Sequence, residues 1–137
     1  MSTGMGSAKG DEAKRDVYDL EDRLLRYATA IIRVTEKIDK TRAGNHVAGQ
    51  LLRSGTSPYL NHGEAESAES SDDFVHKMRI CLKELREAKR ALRLVQKVPL
   101  IEKPAIIDKV LVETEELIRI FYTSIRTVQQ RVPGRAR

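Results

Sequence analysis

Six basic residues recur at helical spacing between residues 79 and 97, and they have the clearest potential for binding chemistry in this sequence. They are Arg79, Lys83, Arg86, Arg90, Arg93 and Lys97. Steps of three and four residues place neighbouring charges about 5–6 Å apart on one side of an α-helix. Such a row can neutralise phosphates and release their counterions. The pattern predicts a nucleic-acid-binding surface, and the alternative is a solvated face that only keeps the protein soluble.

The composition bears on what kind of binding this would be. The formal net charge is +5 and the sequence pI is about 9.5, which permits an acidic partner. No aromatic residues interleave with the basic row to offer a stacking platform for bases. No zinc-finger or RNA-recognition signature is present. We therefore expect contacts to the phosphate backbone with little sequence specificity.

A second group of polar and small residues surrounds a proline that the periodicity places inside a helix. Its members are Arg53, Ser54, Thr56, Ser57, Pro58, Asn61, Glu64 and Lys77. A proline in a helix interior removes one backbone hydrogen bond and favours a kink, which here frees the carbonyl of Ser54. Nearby hydroxyls can satisfy freed backbone groups. If Glu64 is buried it needs a partner, for which Arg53 and Lys77 are candidates. We expect a structural polar network rather than catalysis.

The remaining chemical candidates are weak, so we expect neither an enzyme nor a bound cofactor. His62 and Glu66 lie four residues apart and could share a metal, but two ligands are too few for a site. We expect an exposed polar pair instead. Cys81 falls in an apolar stripe, where a thiol is unreactive, and His76 lies on another face.

The elements that position these residues are four amphipathic helices, and no strand pattern or internal repeat is present. A first helix is predicted from about Asp16, with Gly44 as its C-cap region and Asn45 as the N-cap of the second helix. Pro104 suits the first turn of the last helix. Mostly short connections make successive helices antiparallel neighbours. We predict an all-α, antiparallel up-down-up-down four-helix bundle.

The third helix has the most regular pattern, with an apolar stripe opposite the basic row. The stripe consists of Phe74, Met78, Cys81, Leu85, Ala88, Leu92 and Val95. The last helix carries two adjacent apolar stripes, from Ile107 to Val128 and from Ile106 to Ile120. One neighbouring helix covers a single stripe, so the excess apolar surface predicts self-association.

The domain organisation follows from the same patterns. Residues 1–15 are polar and rich in Gly and Ser, and we expect a flexible tail there. Residues 16–131 form the bundle, and residues 132–137 a short basic tail. No apolar run approaches the roughly 20 residues that cross a bilayer, so no membrane partner is expected. The single cysteine is in keeping with a cytoplasmic protein.

A stretch of about 45 residues resembles a known bacterial family, the four-helix-bundle proteins encoded within intervening sequences of the large ribosomal RNA gene. The resemblance is carried by residues 52–58 (LRSGTSP), Asn61, Glu64-Ala65, residues 68–70 (AES), residues 73–78 (DFVHKM), residues 82–84 (LKE) and Leu92. Members of this family form ring-like homopentamers. They are similar to the accessory variability proteins of diversity-generating retroelements, which bind nucleic acid and a reverse transcriptase.

Two functions from different classes are therefore open on the sequence. The resemblance implies a homo-oligomeric, pentameric accessory protein that binds RNA or DNA, with a reverse transcriptase as a further candidate partner. A self-assembling scaffold that binds other proteins and no nucleic acid is the alternative.

Overall fold

The structure, a computed structural model, describes residues 9–131, with side chains described from residue 20 onward. Its elements are four α-helices and one 3₁₀ turn: α1 Lys9–Glu36, α2 Arg42–Glu66, α3 Ser71–Lys97, the 3₁₀ turn Pro104–Ile106 and α4 Ile107–Arg131. Within residues 9–131 there is no β-strand, and the one extended pairing is an isolated bridge between Ile38 and Ile101. The prediction of an all-helical chain with four helices is confirmed.

Contacts between the helices show that successive helices run in opposite directions. Along the α2–α3 seam, Arg53 contacts Glu84 while Glu64 contacts Lys77, so one helix ascends as the other descends. Residues from all four helices form one continuous apolar core. The first and last helices pack against each other less extensively than successive helices do.

The connection between α1 and α2 differs from the predicted one. The N-cap of α2 is Thr41, whose hydroxyl accepts a hydrogen bond from the Gly44 amide at 3.0 Å. Asn45 and Gly44 therefore lie inside α2, and the predicted caps at these two positions are wrong. Thr41 is itself a preferred N-cap residue, and the Asp39 amide before it donates to the Leu100 carbonyl at 2.8 Å, which ties the segment after α1 to the loop after α3. Gly44 is required here because a Cβ would clash with the Asp39 carbonyl.

The start of α1 also differs from the predicted one. The helix begins at Lys9 rather than near Asp16, because Glu12, Ala13 and Lys14 are strong helix formers. The predicted C-terminal tail, residues 132–137, and residues 1–8 of the predicted N-terminal tail lie outside the described part of the chain.

Helix α2 passes through Pro58 as one uninterrupted helix, and its small residues allow a close approach of α1. Ser54, Gly55 and Pro58 are all buried. A Cβ built on Gly55 would lie 2.6 Å from Cγ2 and 2.7 Å from Cγ1 of Ile31. Ile31 is itself fully buried, so it cannot move aside easily. The prediction that small residues of α2 permit close helix packing is confirmed at Gly55.

The α1–α4 seam is held by a polar contact at its centre and by ion pairs beside it. The Tyr27 hydroxyl lies 2.7 Å from Thr114 Oγ1 in the buried core, and Thr114 donates to the Val110 carbonyl. Burial raises the pKa of Tyr27, so its hydroxyl remains protonated and donates to Thr114. Arg23 binds Glu113 through two parallel hydrogen bonds of 3.0 and 2.8 Å. These contacts set the register of α1 on α4.

Glycine-to-alanine substitutions along α2 test this packing, because the same change should have opposite effects at different positions. Gly55→Ala should lower the free energy of unfolding by about 1–3 kcal/mol, since the added methyl overpacks the contact with Ile31. Gly49→Ala and Gly63→Ala are matched controls, because nothing lies within 4 Å of a Cβ at either site. These two control variants should raise the free energy of unfolding by about 0.5–1 kcal/mol, because alanine favours a helix more than glycine does. Urea denaturation gives all three values, and a stabilising Gly55→Ala would contradict the close α1–α2 contact.

Candidate nucleic-acid interface

The apolar stripe of α3 turns inward and so places the basic row outside. Met78, Cys81, Leu85, Ala88, Leu92 and Val95 are buried, and Phe74 packs partly buried against the same core. All six residues of the row, Arg79, Lys83, Arg86, Arg90, Arg93 and Lys97, are exposed. We call these six residues the basic ridge.

The ridge residues differ from the other basic residues of α3 in having no ionic partner. Lys77 pairs with Glu64 at 2.6 Å and Lys89 with Glu115 at 3.2 Å. None of the six ridge residues forms an ion pair with an acidic residue whose side chain the structure describes. Their charge is therefore available to an anionic partner and does not serve to join helices.

A groove of about 800 Å³ runs between α3 and α4 along part of the ridge. Arg79, Lys83, Arg86 and Arg90 form its α3 wall, and Tyr122, Arg126 and Gln129 form its α4 wall. Leu82 and Ile125 also line it, which gives an apolar floor. Arg93 and Lys97 lie beyond this groove. The structure thus separates the ridge into four residues that share a groove with α4 and two that stand on the open helix surface.

The single acidic residue that lines the groove, Glu87, already has a partner. Arg53 of α2 reaches over α3 and donates to Glu87 at 2.8 Å and to Glu84 at 2.8 Å. The five basic residues of the lining still outnumber this one carboxylate, so the groove remains cationic. The two hydrogen bonds also fix α2 to α3.

Sequence reasoning missed the contribution of α4 to this surface. Tyr122, Arg126 and Gln129 are spaced by four and three residues, which is the signal of a common helix face. That face lies beside the buried Phe121 and Ile125. The signal alone does not show which neighbour the face adjoins, because this depends on the register of α4 against α3.

The polar residues grouped around Pro58 form separate contacts rather than one network. Lys77, one of the two partners predicted for Glu64, forms an ion pair with it. Arg53, the other predicted partner, binds Glu84 and Glu87 instead. Both arrangements are substantially exposed, so they are surface links between α2 and α3 that contribute little energy.

The hydroxyl and amide groups nearest Pro58 pair locally along α2. Asn61 Nδ2 donates to Ser57 Oγ at 2.8 Å and to the Ser57 carbonyl at 3.2 Å. Thr56 donates to the Leu52 carbonyl at 2.7 Å. The buried Ser54 hydroxyl has no partner within the described residues. These contacts stabilise the proline-containing helix and present no group poised for catalysis.

His62 corrects the expectation of an exposed polar pair with Glu66. Its side chain is buried, and its ring lies edge-on to Phe121 of α4 with centroids 6.1 Å apart. Burial lowers the pKa of His62, while Glu66, with its carboxylate 3.7 Å away, opposes that shift. His62 therefore acts as a buried aromatic in contact with α4, and the expectation of an exposed pair is wrong.

Cys81 lies in the core, as the stripe predicted. Its Sγ is 3.5 Å from the Pro58 carbonyl, and burial raises the pKa of the thiol to about 12. A thiol in this state is a poor nucleophile. Among the side chains that the structure describes, no three of His, Cys, Asp and Glu come together as a metal site. No helix within residues 9–131 is both long and apolar enough to cross a membrane.

The fold and surface define the class of protein: a compact antiparallel four-helix bundle whose third helix exposes an unpaired basic ridge. Residues 18–123 match the model of the 23S rRNA-intervening sequence protein family. The chain belongs to this family, as the resemblance in α2 and α3 indicated.

A solved structure supports the assignment at the level of the fold. The chain is similar to a crystal structure from Bacteroides thetaiotaomicron, described as a protein of unknown function from the S23 ribosomal protein family. The two share 28% sequence identity with a TM-score of 0.72, over 80% of this chain and 96% of the other. No curated protein matches the chain.

Proposed function

We propose that this protein is a homo-oligomeric accessory protein that binds nucleic acid through the basic ridge of α3. The observation that carries the proposal is the contrast within one helix, in which Lys77 and Lys89 are engaged in ion pairs while the six ridge residues have none among the described side chains. Unpaired cations at helical spacing attract a phosphate backbone and gain free energy by releasing its counterions. The protein performs no catalysis in this role and needs no cofactor or metal.

The groups available on the ridge set the character of the binding. Arginine forks suit bidentate hydrogen bonding to phosphate oxygens. Contacts from these side chains to phosphates fix position and carry no sequence information directly. Affinity is thus expected to depend on charge and salt far more than on sequence. A reverse transcriptase is a further candidate partner, bound alongside the nucleic acid.

Self-association is supported by apolar side chains that one subunit leaves uncovered. Leu25 and Ile32 are 45% and 44% exposed and lie seven residues apart on one face of α1. Leu60 and Val112 are exposed by about two thirds on α2 and α4. We propose a pentameric ring, in which these faces are covered and the ridges remain outside. Five copies multiply the charge offered to a polyanion fivefold.

A self-assembling scaffold without nucleic-acid binding is the second candidate, favoured by the same exposed apolar residues. In this second candidate the basic ridge binds no partner. The two candidates therefore make different predictions about salt-dependent binding.

A salt titration separates the two candidates. The protein should bind structured RNA or duplex DNA at low salt, and the logarithm of the affinity should fall linearly with the logarithm of salt concentration. The variant Arg86→Glu/Arg90→Glu/Arg93→Glu should bind more weakly, with a slope shallower by about 0.9 for each phosphate that the ridge no longer neutralises. Fluorescence anisotropy gives both quantities.

The control variant carries the same charge change on another surface. Arg33, Lys37 and Lys40 are exposed and have no ion pair among the described side chains, so Arg33→Glu/Lys37→Glu/Lys40→Glu changes the net charge equally. This control should weaken binding less than the ridge variant does. An equal weakening would show that total charge rather than the ridge governs binding, and no binding at low salt would leave the scaffold.

The oligomer has its own test. Multi-angle light scattering at micromolar concentration should give five times the 15.5 kDa subunit mass. Leu25→Glu/Ile32→Glu should yield smaller species with unchanged helix content, because both side chains are exposed in the subunit and charge opposes their burial. A monomeric wild type would contradict self-association. An unchanged mass in Leu25→Glu/Ile32→Glu would show that this face of α1 is not part of the interface.

A further inference from the structure

The α3–α4 groove has features that a uniformly charged surface would lack. It has cationic walls, an apolar floor and one exposed aromatic ring, that of Tyr122, which is 49% exposed. We propose that the groove binds a single strand of nucleic acid, with its phosphates on the α3 wall and a base stacked on Tyr122. This rests on the proposed function and names the form of nucleic acid that the site takes.

The first argument is the distribution of charge across the groove. Arg79, Lys83, Arg86 and Arg90 extend over twelve residues of α3, a rise of about 16 Å along the helix, and Arg126 faces them from α4. Glu87, the acidic residue of the lining, is held by Arg53. The groove therefore presents five cations to an occupant that must carry repeated negative charge. A polyanion meets this requirement, whereas an apolar helix would bury the cations without compensation.

The second argument is the position of Tyr122. Tyr27, which lies on the α1–α4 seam, is buried and hydrogen-bonded to Thr114. The Tyr122 hydroxyl has no hydrogen-bond partner among the described residues, and half of its side chain faces solvent beside the apolar Leu82 and Ile125. An exposed ring in a basic groove is the arrangement on which single-stranded bases stack.

The third argument is what Tyr122 can stack on, which distinguishes a single strand from a duplex. Within a duplex both faces of each base are covered by neighbouring bases, so an aromatic ring outside the duplex has no base face to contact. A single strand can present an unstacked base to an exposed aromatic side chain. A duplex would therefore contact only the cations of the groove, whereas a single strand can also contact Tyr122.

The experiment compares single strands with duplexes on the same protein. Fluorescence anisotropy is measured with single-stranded RNA and DNA of about 12 nucleotides, within the known range of single-strand site sizes, and with duplexes of the same length. Tyr122→Leu should weaken single-strand binding by roughly 5- to 150-fold, the range that removal of one stacked base gives, and leave duplex binding unchanged. Tyr122→Phe keeps the ring and should bind as the wild type does.

A matched pair of arginine variants locates the strand. Arg126→Gln removes a groove cation and should weaken single-strand binding. Arg119→Gln removes an exposed arginine two turns earlier on α4 that does not line the groove, and should have little effect. Weaker binding of Arg126→Gln to either single-stranded RNA or single-stranded DNA supports the proposal. A difference between the two probes shows whether the groove prefers ribose or deoxyribose.

The outcomes separate this inference from the proposed function. Unchanged single-strand affinity in Tyr122→Leu, or an equal weakening for duplex and single strand, overturns the stacking site while nucleic-acid binding by the ridge stands. Absence of binding to every probe at low salt overturns both. Circular dichroism should show unchanged helix content in each variant, because all the substituted side chains are substantially exposed.

Discussion

The burial of one side of α3 is the constraint on which the rest of the structure depends. Eight apolar residues of this helix are buried in the core, and its partners α2 and α4 are the helices with which it packs most extensively. Because the helix is rigid, fixing its apolar side also fixes the direction of the opposite side. The six ridge residues are exposed for this reason, and no local interaction has to hold them there. The hydrophobic core thus determines where the charge is displayed.

The neighbouring helices α2 and α4 contribute further side chains to the basic surface of α3. Helix α2 packs closely against α1 at Gly55. Its Arg53 donates hydrogen bonds to Glu84 and Glu87 on α3. This contact brings one positive charge to the two acidic residues that interrupt the basic surface. Helix α4 supplies the second wall of the groove through Tyr122 and Arg126. A simple charged face therefore becomes a site with walls, a floor and an aromatic ring.

Sequence periodicity predicted the helices and the buried side of α3 because apolar and basic residues there are largely segregated, with the exposed Leu94 as an exception. It failed where the outcome depends on contacts between elements. The start of α2 is a different case, because Thr41 is a preferred N-cap residue and caps the helix locally. His62 is buried and contacts Phe121 of α4, a contact between distant segments that periodicity does not contain. The groove was missed for the same reason, since the position of Tyr122 next to the ridge follows from helix register.

Lysine footprinting tests most directly the claim that the exposed side of α3 is the binding surface. Acetylation of each lysine is followed by mass spectrometry with and without added nucleic acid at low salt. Lys83 and Lys97, which belong to the ridge, should be protected, whereas the equally exposed Lys37 and Lys40 should react at unchanged rates. Protection of Lys37 and Lys40 with Lys83 and Lys97 still reactive would place the nucleic acid elsewhere and contradict the account.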